Sequence, residues 1–294
     1  MRISRNSKMI ACGIAVVAFF AAAILFFFTN HYRPPDKKIQ LRYSLSIQNT
    51  TNQPITDVSL KVQSPVQSTL FQRRIDMRAD HEFEEIGKDS ENQLLHFKWA
   101  LVPPFTTKVI SIQSNVEFWS KPQKADASDL DIYLLPEALI ESDHPQIKTL
   151  ADQLHSVSKE KTIRNTYEWV SEKIAYSGYI KHARGAIYAL KHGQGDCTEF
   201  AYLFVALCRA NEVPARVIGG FVCSNDAVLD LGEYHNWAEF LLDGSWHIAD
   251  PQRKQFMRAQ EAYIAFHIGR PTDHEGFAMV SEIEGSGLKV KLNK

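Results

Sequence analysis

The segment EYHNWAEFLLDGSWHIADPQ, Glu233 to Gln252, constrains the fold more than any other stretch of this chain. Two apolar runs flank Asp243-Gly244, and that pair favours a two-residue hairpin turn because both residues tolerate positive φ. Such a turn fixes the register. Leu242 then pairs with Ser245, Phe240 with His247, and Trp237 with Asp250. His235, two residues before Trp237, shares its face and is a diagonal neighbour of Asp250 within side-chain reach. A three-residue turn would carry Asp250 to the opposite face. The segment therefore predicts a carboxylate that steadies an imidazole. Each residue also has a plainer reading: a strand-end histidine bonded to backbone, and an aspartate before Pro251 that ends a strand.

An imidazole held in this way suits a nucleophile, and GQGDCTEF, Gly193 to Phe200, offers one. Phe200, Leu203, Phe204, Leu207 and Cys208 repeat at the spacing of a buried helix face. Asp196 fits the N-cap and Glu199 the third helical position of a capping box. Cys197 is then the first helical residue, where backbone N–H groups and the helix dipole favour an anion. Asp196 and Glu199 oppose this by like charge, so a cationic partner is required, and His235 would supply it. The plainer reading is a small residue that opens a core helix after a glycine turn.

Around this segment the chain divides into regions. Ile39 to Ile47, Val58 to Val62, Leu95 to Leu101 and Ile110 to Phe118 alternate apolar and polar residues, as in a small antiparallel sandwich over 36–120. Residues 121–144 read as a charged connector. From 145 to 294, helical spacing (Ile147, Leu150, Leu154; Ile163, Tyr167, Val170) precedes the cysteine helix and then strands, an α+β order. A net charge of −1 gives no sign of nucleic-acid binding.

Met9 to Thr29 is free of charge for 21 residues, about 31 Å as a helix and enough to span a bilayer. It reads as an uncleaved anchor within residues 1–35 rather than a signal peptide, whose apolar core is shorter. Arg2, Arg5 and Lys8 before it favour a cytoplasmic N-terminus, placing the soluble portion outside a bacterial inner membrane. There, Cys208 and Cys223 are candidates for a disulfide or for two buried thiols, with Cys197 left over. Cys197, Cys208, Cys223 and His235 lack the close spacing of a zinc site, so no metal is expected.

Four blocks together carry a resemblance: Gly195-Asp196-Cys197; Arg209-Ala210 with Pro214-Ala215-Arg216; His235-Asn236-Trp237; and Trp246 with Asp250-Pro251. They resemble the transglutaminase-like superfamily, a branch of the papain-like fold, over about Ile147 to Pro251. The resemblance implies Cys197 as nucleophile, His235 as general base and acid, and Asp250 as orienting group; the sequence departs from animal transglutaminases in showing no candidate calcium loop, and no cofactor is expected. Gln194 and Tyr176 are side-chain candidates for an oxyanion donor beside the Cys197 N–H. Arg216 is expected to bond carbonyls or a carboxylate. The expected activity is attack on a peptide or protein amide through a thioester, ending in hydrolysis. The alternatives are transfer to an amine, as in a transglutaminase, or a tethered binding module without turnover.

Overall fold

The computed structural model describes residues 33–87, 92–121, 130–270 and 279–293. The segment Met9 to Thr29 lies outside them. Among the described residues, no helix is long and apolar enough to cross a membrane. Met1–Asp36 and Lys37–Lys294 are separate units, and the second holds every strand and helix named below.

Six strands come first: β1 (Lys37–Asn49), β2 (Ile55–Gln63), β3 (Gln72–Ala79), β4 (Phe83–Gly87), β5 (Gln93–Val102) and β6 (Thr107–Phe118). The alternation seen in sequence has its physical reason here. Along β1, Ile39, Leu41, Tyr43, Leu45 and Ile47 are buried and share one core with Leu60, Val62, Leu95 and Phe97 of the opposing sheet. β3 and β4 were not legible as strands, because β3 carries four charged residues and β4 two.

Four helices follow: α1 (Pro145–Leu154), α2 (Lys159–Lys173), α3 (Ala186–His192) and α4 (Cys197–Ala210). Two short strands, β7 (Ala175–Tyr176) and β8 (Gln194–Gly195), pair in parallel and tie the end of α2 to the approach of α4. The remaining strands are β9 (Ala215–Val222), β10 (Ala227–Val228), β11 (His235–Leu242), β12 (Ser245–Asp250), β13 (Gln255–Phe256), β14 (Tyr263–Ile268), β15 (Val280–Glu284) and β16 (Leu288–Leu292). An antiparallel sheet in the order β13-β12-β11-β9-β14 backs α4. Leu203, Phe204 and Leu207 of α4 pack with Val217 of β9 and Ala238 and Phe240 of β11. This is a mixed α/β fold built on antiparallel sheets.

The chain does not divide cleanly at residue 120. β16 pairs with β1, β15 with β2, and β10 with β1. The last two strands thus complete the sandwich sheets, although 145–294 was expected to form one catalytic region. Phe221, Ile264 and Phe266 of the helix-backed sheet also enter the sandwich core. Shared apolar burial makes Lys37–Lys294 one unit.

Of the two readings left open for Cys208 and Cys223, the structure has free thiols and no bridge. Cys197, Cys208 and Cys223 are all free thiols. Cys208 points from α4 into the helical core, whereas Cys223 packs against the sandwich core, so the two face different clusters. Burial pushes the Cys208 thiol well above its usual range.

Candidate functional site

The hairpin forms in the register the sequence requires. Leu242 pairs with Ser245 and Phe240 with His247, and Asp243 and Gly244 have φ of 50° and 75°. Two successive positive φ values match the right-handed twist of the flanking strands. His247 stacks on Phe240, away from the chemistry. His235 Nε2 and Asp250 Oδ2 lie 2.7 Å apart. Both side chains are buried, which strengthens the interaction relative to water.

Asp250 has two further donors that sequence reasoning missed. The Tyr263 hydroxyl donates to Oδ2 at 2.8 Å and the Arg253 N–H to Oδ1 at 3.0 Å. Tyr263 sits on β14, at the far edge of the sheet from β12 in strand order, so no local pattern links it to Asp250. Burial, with the Asp250 charge adding, holds the Tyr263 phenol protonated. The carboxylate therefore has three hydrogen-bond partners and little freedom to rotate.

The cysteine half is built by the turn before α4. Gly193 ends α3 in the left-handed region at φ 62°. At Gly195 a Cβ would come within 2.4 Å of Glu199 Cβ, so a side chain there is excluded. Asp196 caps α4, its Oδ1 accepting the Thr198 N–H at 2.8 Å, and Glu199 closes the capping box on the Asp196 N–H at 3.0 Å. Their other oxygens accept the N–H groups of Ile180 and Arg184 at 2.8 Å each. The two acids thus organise the loop 180–184 as well as the helix tip.

Cys197 is half-buried at that tip. Burial pushes its thiol up to about 11. The Asp196 and Asp250 charges add to the rise, while the Asn236 N–H and the Thr198 side chain oppose it. Asn236, the residue after His235, also donates from Nδ2 to Thr198 Oγ1 at 2.9 Å. The imidazole strand and the helix tip are stitched together beside the sulfur. Among the hydrogen bonds of the described residues, none joins Cys197 to His235. Bonds of this kind tighten when substrate is bound.

Cys197 opens on a cleft of about 500 Å³ lined by Tyr179, Lys181, Thr198, Tyr234 and Asn236. Gln194 and Tyr176 do not line it. The Gln194 amide lies 3.5 Å from the Tyr188 hydroxyl, and Tyr176 is 58% exposed. Arg216 binds Glu239 at 2.9 Å through Nε and stacks over Trp246 at 4.2 Å, the carboxylate contact expected of it. Among the described residues, no cluster of three or more His, Cys, Asp or Glu could hold a metal ion.

The site thus holds a cysteine at the tip of α4 and a buried His–Asp pair on the hairpin, the two tied by the Asn236–Thr198 hydrogen bond. Residues 148–251, about a third of the chain, match the family model of the transglutaminase-like superfamily. The chain is also similar to the crystal structure of a putative cysteine protease from Cytophaga hutchinsonii. Identity is 20% over 87% of this chain and 92% of that one, with a TM-score of 0.57, a likeness of fold. The periplasmic domain of TgpA from Pseudomonas aeruginosa aligns at 16% identity over 71% of this chain and 89% of that one, with a TM-score of 0.39. No curated protein matches the sequence.

Proposed function

We propose that the protein is a cysteine enzyme that cleaves amide bonds of peptides or proteins through a Cys197-His235-Asp250 triad. The observation that carries this reading is the buried 2.7 Å contact between His235 Nε2 and Asp250. It fixes the ring so that Nδ1 is the nitrogen available to the thiol. A thiol pushed up to about 11 supplies almost no thiolate on its own near neutral pH. In this reading His235 takes the proton as the sulfur attacks the carbonyl carbon. The first N–H groups of α4 have no helical partner, and the one on Cys197 is suited to bind the oxygen as charge builds there. His235 then protonates the leaving amine, a thioester remains on Cys197, and water activated by His235 releases the acid.

The apolar run Met9 to Thr29 supports an inner-membrane anchor, with the catalytic unit outside the cytoplasm. The test is to incubate the full chain with a peptide library and a labelled primary amine and read the products by mass spectrometry. Cleaved or deamidated peptides are expected. Amine-labelled peptides would make it a transglutaminase. Unchanged peptides, with Cys197 alkylated no faster than the thiols of the unfolded chain, would leave only a binding role.

A further inference from the structure

The residues on either side of His235 carry two buried polar atoms without a hydrogen-bond partner among the described residues, the Tyr234 hydroxyl and Asn236 Oδ1. Both residues line the cleft of Cys197. Buried polar groups are satisfied in nearly all native structures, so each exception calls for a partner such as a water, an ion or a ligand. The Asn236 side chain has a duty already, since Nδ2 donates to Thr198 Oγ1. Tyr234 has none.

The seating of that hydroxyl is specific. The Tyr234 ring packs edge-on against Phe221 at 5.4 Å and 84°. Its oxygen occupies room that exists because residue 219 is glycine: a Cβ there would stand 2.3 Å from it. Burial keeps the phenol protonated, and a thiolate on Cys197 would add to the same effect. It is therefore a donor in a residue that lines the same cleft as Cys197, with no acceptor among the described residues. Acyl transfer at a sulfur creates such an acceptor. The carbonyl oxygen becomes negative as the tetrahedral intermediate forms, and sites of this chemistry meet it with more than one donor.

We infer that the Tyr234 hydroxyl is the second oxyanion donor, beside the Cys197 N–H, and so a catalytic residue. The inference rests on the amide-cleaving reading above. In the step concerned, the S–C bond forms as the thiol proton passes to His235. The carbonyl π pair moves onto oxygen, and Tyr234 holds that oxygen by a hydrogen bond without giving up its proton. Collapse of the intermediate expels the amine, which leaves with the proton from His235.

Tyr234→Phe removes one oxygen that has no partner, so the fold is retained and the full chain can be compared directly. Turnover of a peptide that the library identifies is expected to fall about 10²–10³-fold in kcat, the effect of deleting an oxyanion donor, with KM changed less than about threefold. The peptide aldehyde N-acetyl-leucyl-leucyl-norleucinal adds to the sulfur to give a hemithioacetal, whose oxygen mimics the oxyanion. Its affinity should weaken at least about tenfold in the variant. Alkylation of Cys197 by iodoacetamide forms no oxyanion and should keep its rate. A variant with wild-type kcat and wild-type aldehyde affinity overturns the assignment of Tyr234 and leaves the triad standing. A lower melting temperature with kcat unchanged also overturns it, since that is the mark of a packing role. Absence of both turnover and aldehyde binding in the wild type defeats the amide-cleaving reading, and this inference with it.

Discussion

The two halves of the site differ in how complete they are. On the hairpin side, His235 and Asp250 are buried, in contact, and braced by Tyr263 and the Arg253 N–H. On the helix side, the Cys197 thiol is pushed up to about 11 by burial and by the charges of Asp196 and Asp250. The imidazole is prearranged, whereas the thiol rests protonated. The difference teaches that the helix tip alone does not activate this cysteine. If the protein is an enzyme, the proton must leave through His235.

The largest expected effect removes the nucleophile. Cys197→Ala should lower turnover at least about 10⁴-fold, while thermal unfolding shifts by no more than about 1 kcal/mol in stability. Substantial residual turnover would detach the chemistry from the helix tip altogether. Next comes the coupling between the halves. In His235→Ala the thiol has lost its proton acceptor, and thiolate appears only as pH rises toward about 11. At about pH 8 that leaves roughly one thiol in a thousand ionised, so iodoacetamide labelling should be slow and climb steadily through about pH 10. The wild type should label faster near neutral pH. Equal pH profiles for the two would mean that His235 does not serve the sulfur.

A smaller effect belongs to the brace on the hairpin side. Asp250→Asn keeps the shape of the side chain but not its charge, and Asn serves in the same place in some Cys-His sites. Turnover should fall roughly 10²-fold, at the low end of what general acid–base catalysis contributes. Tyr263→Phe removes one of the three contacts to Asp250 and should cost about 1 kcal/mol, read as a few-fold loss in kcat. An unchanged kcat in both variants would show that the hairpin pair is structural.

The same contrast explains what could be read from the sequence. The hairpin register was legible because Asp243-Gly244 fixes the pairs outward from the turn as far as Ala238 with Ala249, and His235 and Asp250 lie at the ends of the same two strands. The capping box was legible for a similar reason, as Asp196 and Glu199 lie within one turn of Cys197. Partners that meet only through the tertiary fold were not. Tyr263 reaches Asp250 from another strand, and β15 and β16 return to strands more than two hundred residues earlier with no local sign of where they pair. The choice between a bridge and two thiols for Cys208 and Cys223 stayed open on the same ground, since cysteine spacing does not say which core a side chain enters. Gln194 and Tyr176, the side-chain candidates for an oxyanion donor, lie on the paired strands β7 and β8 and are not among the residues lining the cleft.

The smallest expected effect lies at the cap and separates charge from geometry. Asp196→Asn leaves a good N-cap for the Thr198 N–H. It gives up the charge-assisted bond to the Ile180 N–H, because an amide has one oxygen, and should cost about 1 kcal/mol in stability. The Asp196 charge raises the Cys197 thiol, so its removal lowers the pH at which thiolate appears. Labelling of Cys197 in the Asp196→Asn, His235→Ala background should therefore begin at lower pH than in His235→Ala alone. No shift between the two profiles would mean that Asp196 acts on the thiol only by shaping the turn. The resting state of the sulfur would then be set by burial and Asp250, and the contrast between the halves would rest on the hairpin alone.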